Sequence, residues 1–157
     1  MRRILVTGIP GTGKTTIGRY LVQQHGFEHL DFETPAHAEH YLSAGKRALL
    51  EKLGMPPVSQ DMVISWGFLP ETQLPFVLAL RDSGYDWIWF DGDRAAARRA
   101  FLERGTSSEE AFEMQMRAID EYLDLDLLHP RTVSPFDCAG RFRPLAHIAE
   151  DVLRLSA

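Results

Sequence analysis

Several things are scarce in this chain. It has one cysteine, Cys138, among 157 residues. An internal disulfide is therefore excluded, and a reducing compartment is expected. No apolar run approaches the ~20 residues of a membrane-spanning helix. Met1-Arg2-Arg3 leads straight into a short apolar segment, without the pattern of a secretory leader. A cytoplasmic protein with no membrane partner is expected. There is no long run of Lys or Arg, and the net charge is −5. That argues against a general nucleic-acid-binding surface. His25, His29, His37 and His40 cluster in sequence, but no Cys/His spacing fits a zinc site. Cys138 has no obvious base partner and reads as inert. Repeats, linkers and low-complexity tracts are missing too. The length suits one domain over residues 1–157, and 45% apolar residues suffice for one core.

What is present begins near the N-terminus. Gly8-Ile9-Pro10-Gly11-Thr12-Gly13-Lys14-Thr15 matches G-x-x-x-x-G-K-[ST] at every position. The apolar run Ile4-Leu5-Val6 precedes it as a buried strand. A helical pattern carrying Ile17, Leu21 and Val22 follows. Glycines at 8, 11 and 13 let backbone N–H groups wrap an anion, and the helix start adds its positive dipole end. Lys14 is placed to reach β- and γ-phosphates, and the Thr15 hydroxyl to hold Mg²⁺. Gly8, Gly11, Thr12, Gly13, Lys14, Thr15 and Thr16 are thus the candidate nucleotide-binding residues.

Periodicity and punctuation place the other elements. Strands are expected at 2–7, 27–32, 61–66, 87–90 and 131–135. Helices are expected at 14–25 and from Thr34-Pro35 to about Gly54, where Met55-Pro56-Pro57 breaks the pattern. A further helix holds Leu74, Val77, Leu78 and Leu80 and ends at Ser83-Gly84. The next runs from the Asp93 cap to Arg104. Ser107-Ser108-Glu109-Glu110 reads as a capping box. Its helix carries Phe112, Met116, Ile119, Leu123 and Leu127 on one face and ends at His129-Pro130. The last helix, from Pro144, buries Leu145, Ile148, Ala149, Val152 and Leu153. Five alternations of strand and helix predict an α/β fold. Its layers are α/β/α, with a five-stranded parallel sheet and helices on both faces. Ligands of such sheets lie off the carboxyl ends of the strands.

Those ends therefore hold the candidates for chemistry. Asp31 and Glu33 follow strand two, and in an extended segment both point to one side. One can hold the metal shell while the other takes a proton from an acceptor. Trp66-Gly67-Phe68 follows strand three; its aromatics either flank an acceptor or fill the core. Arg98, Arg99, Arg104 and Arg117 lie on the two helices after strand four. Guanidinium forks stabilise a phosphoryl group in flight. For Arg98 a solvated helix face is the simpler reading, and for Arg117 an ion pair with Glu113. Arg141, in the loop after strand five, can stack over a nucleotide base, or the loop is simply solvated.

The order of motifs resembles the small P-loop kinases of metabolites, chiefly the shikimate and gluconate kinase group, with adenylate kinase more distant. The resemblance spans most of the chain. Gly8 to Thr16 corresponds to that group's phosphate loop. Leu30-Asp31-Phe32-Glu33 resembles the Asp-x-Asp of shikimate kinases, which implies that Asp31 serves the metal and Glu33 faces the acceptor. Phe90-Asp91-Gly92-Asp93, with Arg99 and Arg104, is similar to the gluconate kinase stretch leading into a mobile lid. The resemblance implies a lid at 105–118 and an acceptor-binding segment at 34–57. The acceptor-handling parts depart from the pattern. Gly67 is followed by Phe68 and Leu69 rather than by two more glycines, and the Arg-Pro pair of the lid is absent. Shikimate itself is not the expected substrate.

The expectation is an enzyme that uses ATP and Mg²⁺ to phosphorylate a hydroxyl of a small-molecule acceptor, as a monomer or homodimer. Lys14, Asp31, Glu33, Arg99 and Arg104 are its candidate catalytic residues, and Thr15 and Asp31 its metal ligands. Arg141 joins the nucleotide-binding set. A nucleotide-binding switch with slow hydrolysis is the alternative, although the Asn-Lys-x-Asp signature of GTPases is absent. A nucleoside or nucleotide kinase, stacking a base on Trp66 and Phe68, is a third.

Overall fold

The computed structural model describes residues 1–53 and 60–157. Its centre is a parallel sheet of five strands: β1 (Arg3–Gly8), β2 (Glu28–Asp31), β3 (Met62–Ser65), β4 (Asp86–Phe90) and β5 (Arg131–Val133). The spatial order is β2-β3-β1-β4-β5. In register, Ile4 faces Val63 on one side and Asp86 on the other, and Asp31 pairs with Ser65. The helices are α1 (Lys14–His25), α2 (Pro35–Leu42), α3 (Gly45–Leu53), α4 (Pro70–Asp82) and α5 (Arg94–Glu103). They continue with α6 (Glu109–Tyr122), the short α7 (Leu125–Leu128) and α8 (Leu145–Leu155).

Alternation along the strands splits the core in two. Ile4, Val6, Ile88 and Phe90 join Ile17 and Leu21 of α1 and Ile148 and Val152 of α8. Leu5, Trp87 and Trp89 point the other way and join Leu49, Val77, Phe101, Phe112 and Met116 from the helices between α3 and α6. Helices thus cover both faces, the three-layer arrangement that five strand–helix alternations predict. Inside the second cluster, Trp87 donates its indole N–H to the Thr7 hydroxyl at 2.7 Å. Without that partner the indole would be a costly orphan.

Four local readings need correction. The long helix expected from Thr34 is two helices, because Ser43 turns its hydroxyl back to the Glu39 carbonyl and the next segment opens on Gly45, a weak helix former. The Met55-Pro56-Pro57 break lies outside the described residues. The cap of α6 is Ser108, which accepts the Ala111 N–H, so the Ser107–Glu110 box is not what starts the helix. Leu127 leaves the apolar face as well: α6 ends at Tyr122, a new turn begins at Asp124, and Leu127 is 74% exposed. Leu145 in the first turn of α8 is also partly exposed rather than buried.

Strand order decides where a ligand can sit. Chain direction carries β2 and β3 to one side of β1, and β4 and β5 to the other. The turn after β1 therefore lies at the switch point of the sheet, where neighbouring loops part and leave a crevice.

Candidate functional site

The segment between β1 and α1 is wrapped tightly on itself. Ile9 donates its N–H to the Phe90 carbonyl at 3.0 Å. The Thr12 hydroxyl donates to the Ile9 carbonyl at 2.8 Å, and the Lys14 ammonium to the same oxygen at 3.0 Å. Gly11 has φ +78°, and a Cβ there would collide with the Ala97 carbonyl oxygen of α5. Only glycine lets the loop lie that close to its neighbour. Gly13 caps α1 in a left-handed conformation with no side-chain acceptor, so the first N–H groups of the helix remain open to an anion.

Lys14 is 7% exposed. Burial pushes its pKa down to about 8, Glu33 and Asp31 pull it up, and Arg104 adds to the lowering. A lysine in that state has poor hydration to lose and a strong demand for an anionic partner.

Asp31 stands at the end of β2 beside this loop. Its Oδ2 accepts the Thr15 hydroxyl at 3.1 Å, and its Oδ1 accepts the Glu33 backbone N–H at 3.1 Å. His37 of α2 places Nδ1 3.1 Å from the Asp31 carbonyl oxygen, so the turn is held from both sides. His29, two residues earlier, bonds to Ser65 at 2.8 Å, and burial lowers its pKa against the opposing field of Asp31. The Thr15 hydroxyl and Asp31 carboxylate are hard oxygen donors that converge next to the anion loop. That donor set fits Mg²⁺, which takes one or two protein oxygens and completes its shell with phosphate and water. Among the described residues no group of three His, Cys, Asp or Glu gathers into a fuller cage.

A cleft of about 560 Å³ opens above the loop. Gly8, Gly11, Gly13, Lys14, Thr15, Thr16, Glu33 and Arg104 all line it, together with Gly67, Phe68, Phe142 and Gln115. Most of the expected site is thus brought together. Glu33 reaches across to Gly67, where a Cβ would strike its carboxylate. Arg104 stands with its guanidinium 5.0 Å over the Phe101 ring, directed by that cation–π contact.

Other expected residues lie elsewhere. Arg99 is exposed and its guanidinium lies against Gly140, in the loop after β5, away from the cleft wall. Arg98 pairs with Glu109 and Glu113 on the protein surface. Glu113 therefore serves Arg98 rather than Arg117. Arg141 is well exposed and pairs with Asp137 at 3.1 Å, again off the cleft wall. Asp91 accepts the Trp89 indole N–H, and Asp93 caps α5; both are structural acids. Trp66 is buried against Phe32 and belongs to the core, whereas Phe68 reaches the cleft.

Some wall residues had escaped the reading of the sequence. Phe142 is 49% exposed, rests on Phe136 at 4.6 Å between centroids, and comes within 3.5 Å of where a Gly13 Cβ would be. An aromatic between two loop arginines, Arg141-Phe142-Arg143, was the available signal. Gln115, Ala118 and Ile119 of α6 also line the cleft. The helix pattern shows that α6 has a buried face; it does not show that the edge of that face meets the phosphate loop.

No protein-family model matches the chain, and no curated protein matches its sequence. Solved structures do match its backbone. A gluconokinase from Sinorhizobium meliloti aligns over 98% of this chain and 90% of its own, with TM-score 0.62 and 19% identity. A shikimate kinase from Bacteroides thetaiotaomicron aligns over 98% and 95%, with TM-score 0.60 and 15% identity. A deoxyadenosine kinase from M. mycoides, solved with dATP, aligns over 97% and 97%, with TM-score 0.56 and 14% identity.

The fold is that of the small P-loop kinases. Its glycine-rich turn, buried lysine and strand-two carboxylate sit in this chain where the sheet's switch point puts them. The three neighbours carry names of three different acceptors, so the P-loop kinase fold leaves the acceptor open. Among the described residues no helix is long and apolar enough to cross a membrane.

Proposed function

We propose that this chain is an ATP-dependent phosphotransferase that moves the γ-phosphate to a hydroxyl of a small molecule. The observation that carries the reading is the 3.1 Å hydrogen bond from Thr15 to Asp31, beside the buried Lys14. It joins the polyphosphate grip to an acid at the end of β2, two strands away across β3. Glu33, on the cleft wall beside it, supplies a second acid, for which an acceptor hydroxyl has a use and a nucleotide alone does not.

In this reading the open N–H groups from Gly11 to Thr15 cradle the β-phosphate, and Lys14 leaves the Ile9 carbonyl for the γ-phosphate oxygens. Thr15 and Asp31 are the protein donors for Mg²⁺, which when bound draws charge from the phosphate oxygens. Glu33, across the cleft at Gly67, orients the acceptor hydroxyl and takes its proton. The acceptor oxygen forms a bond to the γ-phosphorus as the bond from that phosphorus to the β–γ bridging oxygen breaks, and ADP leaves. Arg104 neutralises charge on the group in transit.

Closure is local. The expected lid at 105–118 consists of a short loop, 105–108, and the start of α6, which is rooted in the core by Phe112 and Met116. The loop, carrying Thr106 and Ser107 on the cleft wall, is the part free to fold over the phosphates and exclude water.

The test is titration with MgATP, followed by ADP release across a panel of sugars, sugar acids, nucleosides and amino alcohols. One acceptor that stimulates release many-fold supports the reading. Slow hydrolysis that no acceptor changes overturns it and favours a nucleotide-dependent switch.

A further inference from the structure

The acceptor end of the cleft carries a charge pattern of its own. Strand order puts the ends of β2 and β3 on one side of the phosphate loop, so Glu33 and Gly67 to Pro70 form the wall opposite Phe142. That wall is apolar through Phe68, Leu69 and Pro70, and among the described residues its one ionisable side chain is Glu33. Among the described residues the cleft's cations are Lys14 and Arg104; Lys14 feels Glu33 beside Gly67 and, in the phosphotransfer reading, turns from it to the phosphates.

The cations in the segment expected to hold an acceptor are turned to other partners. Arg47 of α3 pairs with Glu51 and stands almost fully in solvent. Lys52 donates to the His40 carbonyl and stands 5.7 Å over the Tyr41 ring. Lys46 does not line the cleft. Residues 54–59, Gly-Met-Pro-Pro-Val-Ser, contain no Lys, Arg or His. Lys14 and Arg104 balance Glu33 and Asp31, whereas a Mg–ATP complex adds about two negative charges. A carboxylate or phosphate on the acceptor would meet that excess and face Glu33 without a counterion. An ammonium would be attracted by both.

We infer that the acceptor is an alcohol bearing a basic amine near the reacting hydroxyl, such as an amino sugar or amino alcohol, whose ammonium is held by one Glu33 carboxylate oxygen while the other takes the proton of the hydroxyl that receives the phosphate. The inference rests on the phosphotransfer reading and narrows it. A charge held a few ångströms from Glu33 in a half-screened cleft is worth about tenfold in affinity.

The experiment measures binding rather than turnover. The protein is saturated with Mg²⁺ and a non-transferable ATP analogue. Calorimetry then compares matched sets on three-carbon, six-carbon and cyclitol skeletons, each bearing an amine, no charge or a carboxylate. The expected result is an order amine, neutral, acid on at least one skeleton, with the amine about tenfold tighter than the neutral compound. Glu33→Gln should erase the difference between amine and neutral compound while nucleotide-analogue affinity, the check on folding, stays as it was. An acid that binds as well as its amine, no binding on any skeleton, or a preference that survives Glu33→Gln overturns the inference. A compound that binds with this preference yet receives no phosphate from ATP upholds the ammonium site at Glu33 and overturns phosphotransfer instead.

Discussion

At the phosphate end of the cleft, eight consecutive residues, Gly8 to Thr15, build a grip largely from backbone. At the acceptor end, single side chains arrive from separate elements: Glu33 from the turn after β2, Phe68 after β3, and Gln115 from α6. The first kind of site is set by local geometry. Its conformation needs glycines at particular φ values and little else. The second depends on how distant elements pack, and small changes in that packing change what it accepts. This difference explains why a fold can keep its nucleotide while exchanging its acceptor.

The sharpest way to break the comparison is at Lys14. Lys14→Ala should lower kcat/KM by about three orders of magnitude, measured by ADP release, because a buried positive charge at the transferring group is lost. Full retained activity would place the site elsewhere. Asp31→Asn should cost about 10²- to 10⁴-fold in kcat with MgATP affinity nearly unchanged. Equal losses in binding and rate would make Asp31 part of the scaffold.

A glycine pair separates the two ends by stability. Gly11→Ala puts a methyl on the backbone carbonyl of Ala97 and strains φ; neither can give, so a loss of about 3 kcal/mol is expected in denaturant titration. Gly67→Ala meets only the tip of the Glu33 side chain, which can swing aside. Its stability change should stay under about 1 kcal/mol, with the effect appearing in acceptor KM.

The pH dependence is subtler. Burial holds the Lys14 pKa near about 8, and anionic phosphate favours the protonated form. MgATP affinity should thus be level below pH 8. It should weaken above it, by up to about tenfold per pH unit until the pKa of the bound state is passed. Stability of the free protein runs the opposite way. Its Lys14 binds fewer protons than the unfolded chain between about pH 8 and the ordinary 10.5, so this group adds stability as pH rises through that window. Lys14→Met should flatten both curves. The smallest effects belong to the loop after β5: Phe142→Ala should raise the ATP Kd a few-fold through lost stacking, about 1 kcal/mol or less. Arg141→Ala should leave it unchanged. The reverse ranking would return the stacking role to Arg141.

Legibility in the sequence follows the same division. The strand–loop–helix around Gly8 to Thr15 could be read directly, as could Asp31 and Glu33, since position at a strand end is a local property. The arginines could not be sorted. Arg99 and Arg104 are five positions apart on one helical stretch, and only packing decides that Arg104 faces the cleft while Arg99 reaches Gly140. Trp66 and Phe68 alternate in sequence and both are buried, yet only Phe68 also lines the cleft.

By itself, the order of residues determined the alternation of strand and helix, the glycine-rich turn and the acid that follows strand two. Periodicity, glycine placement and hydrogen-bonding side chains act over a few residues, so these features are written locally. Strand order, the meeting of Thr15 with Asp31, the turn of Glu33 toward Gly67, and the placing of Phe142 and α6 along the cleft were decided only by the tertiary structure. They depend on which hydrophobic faces pair across long separations. That pairing is a property of the whole core and of no single stretch.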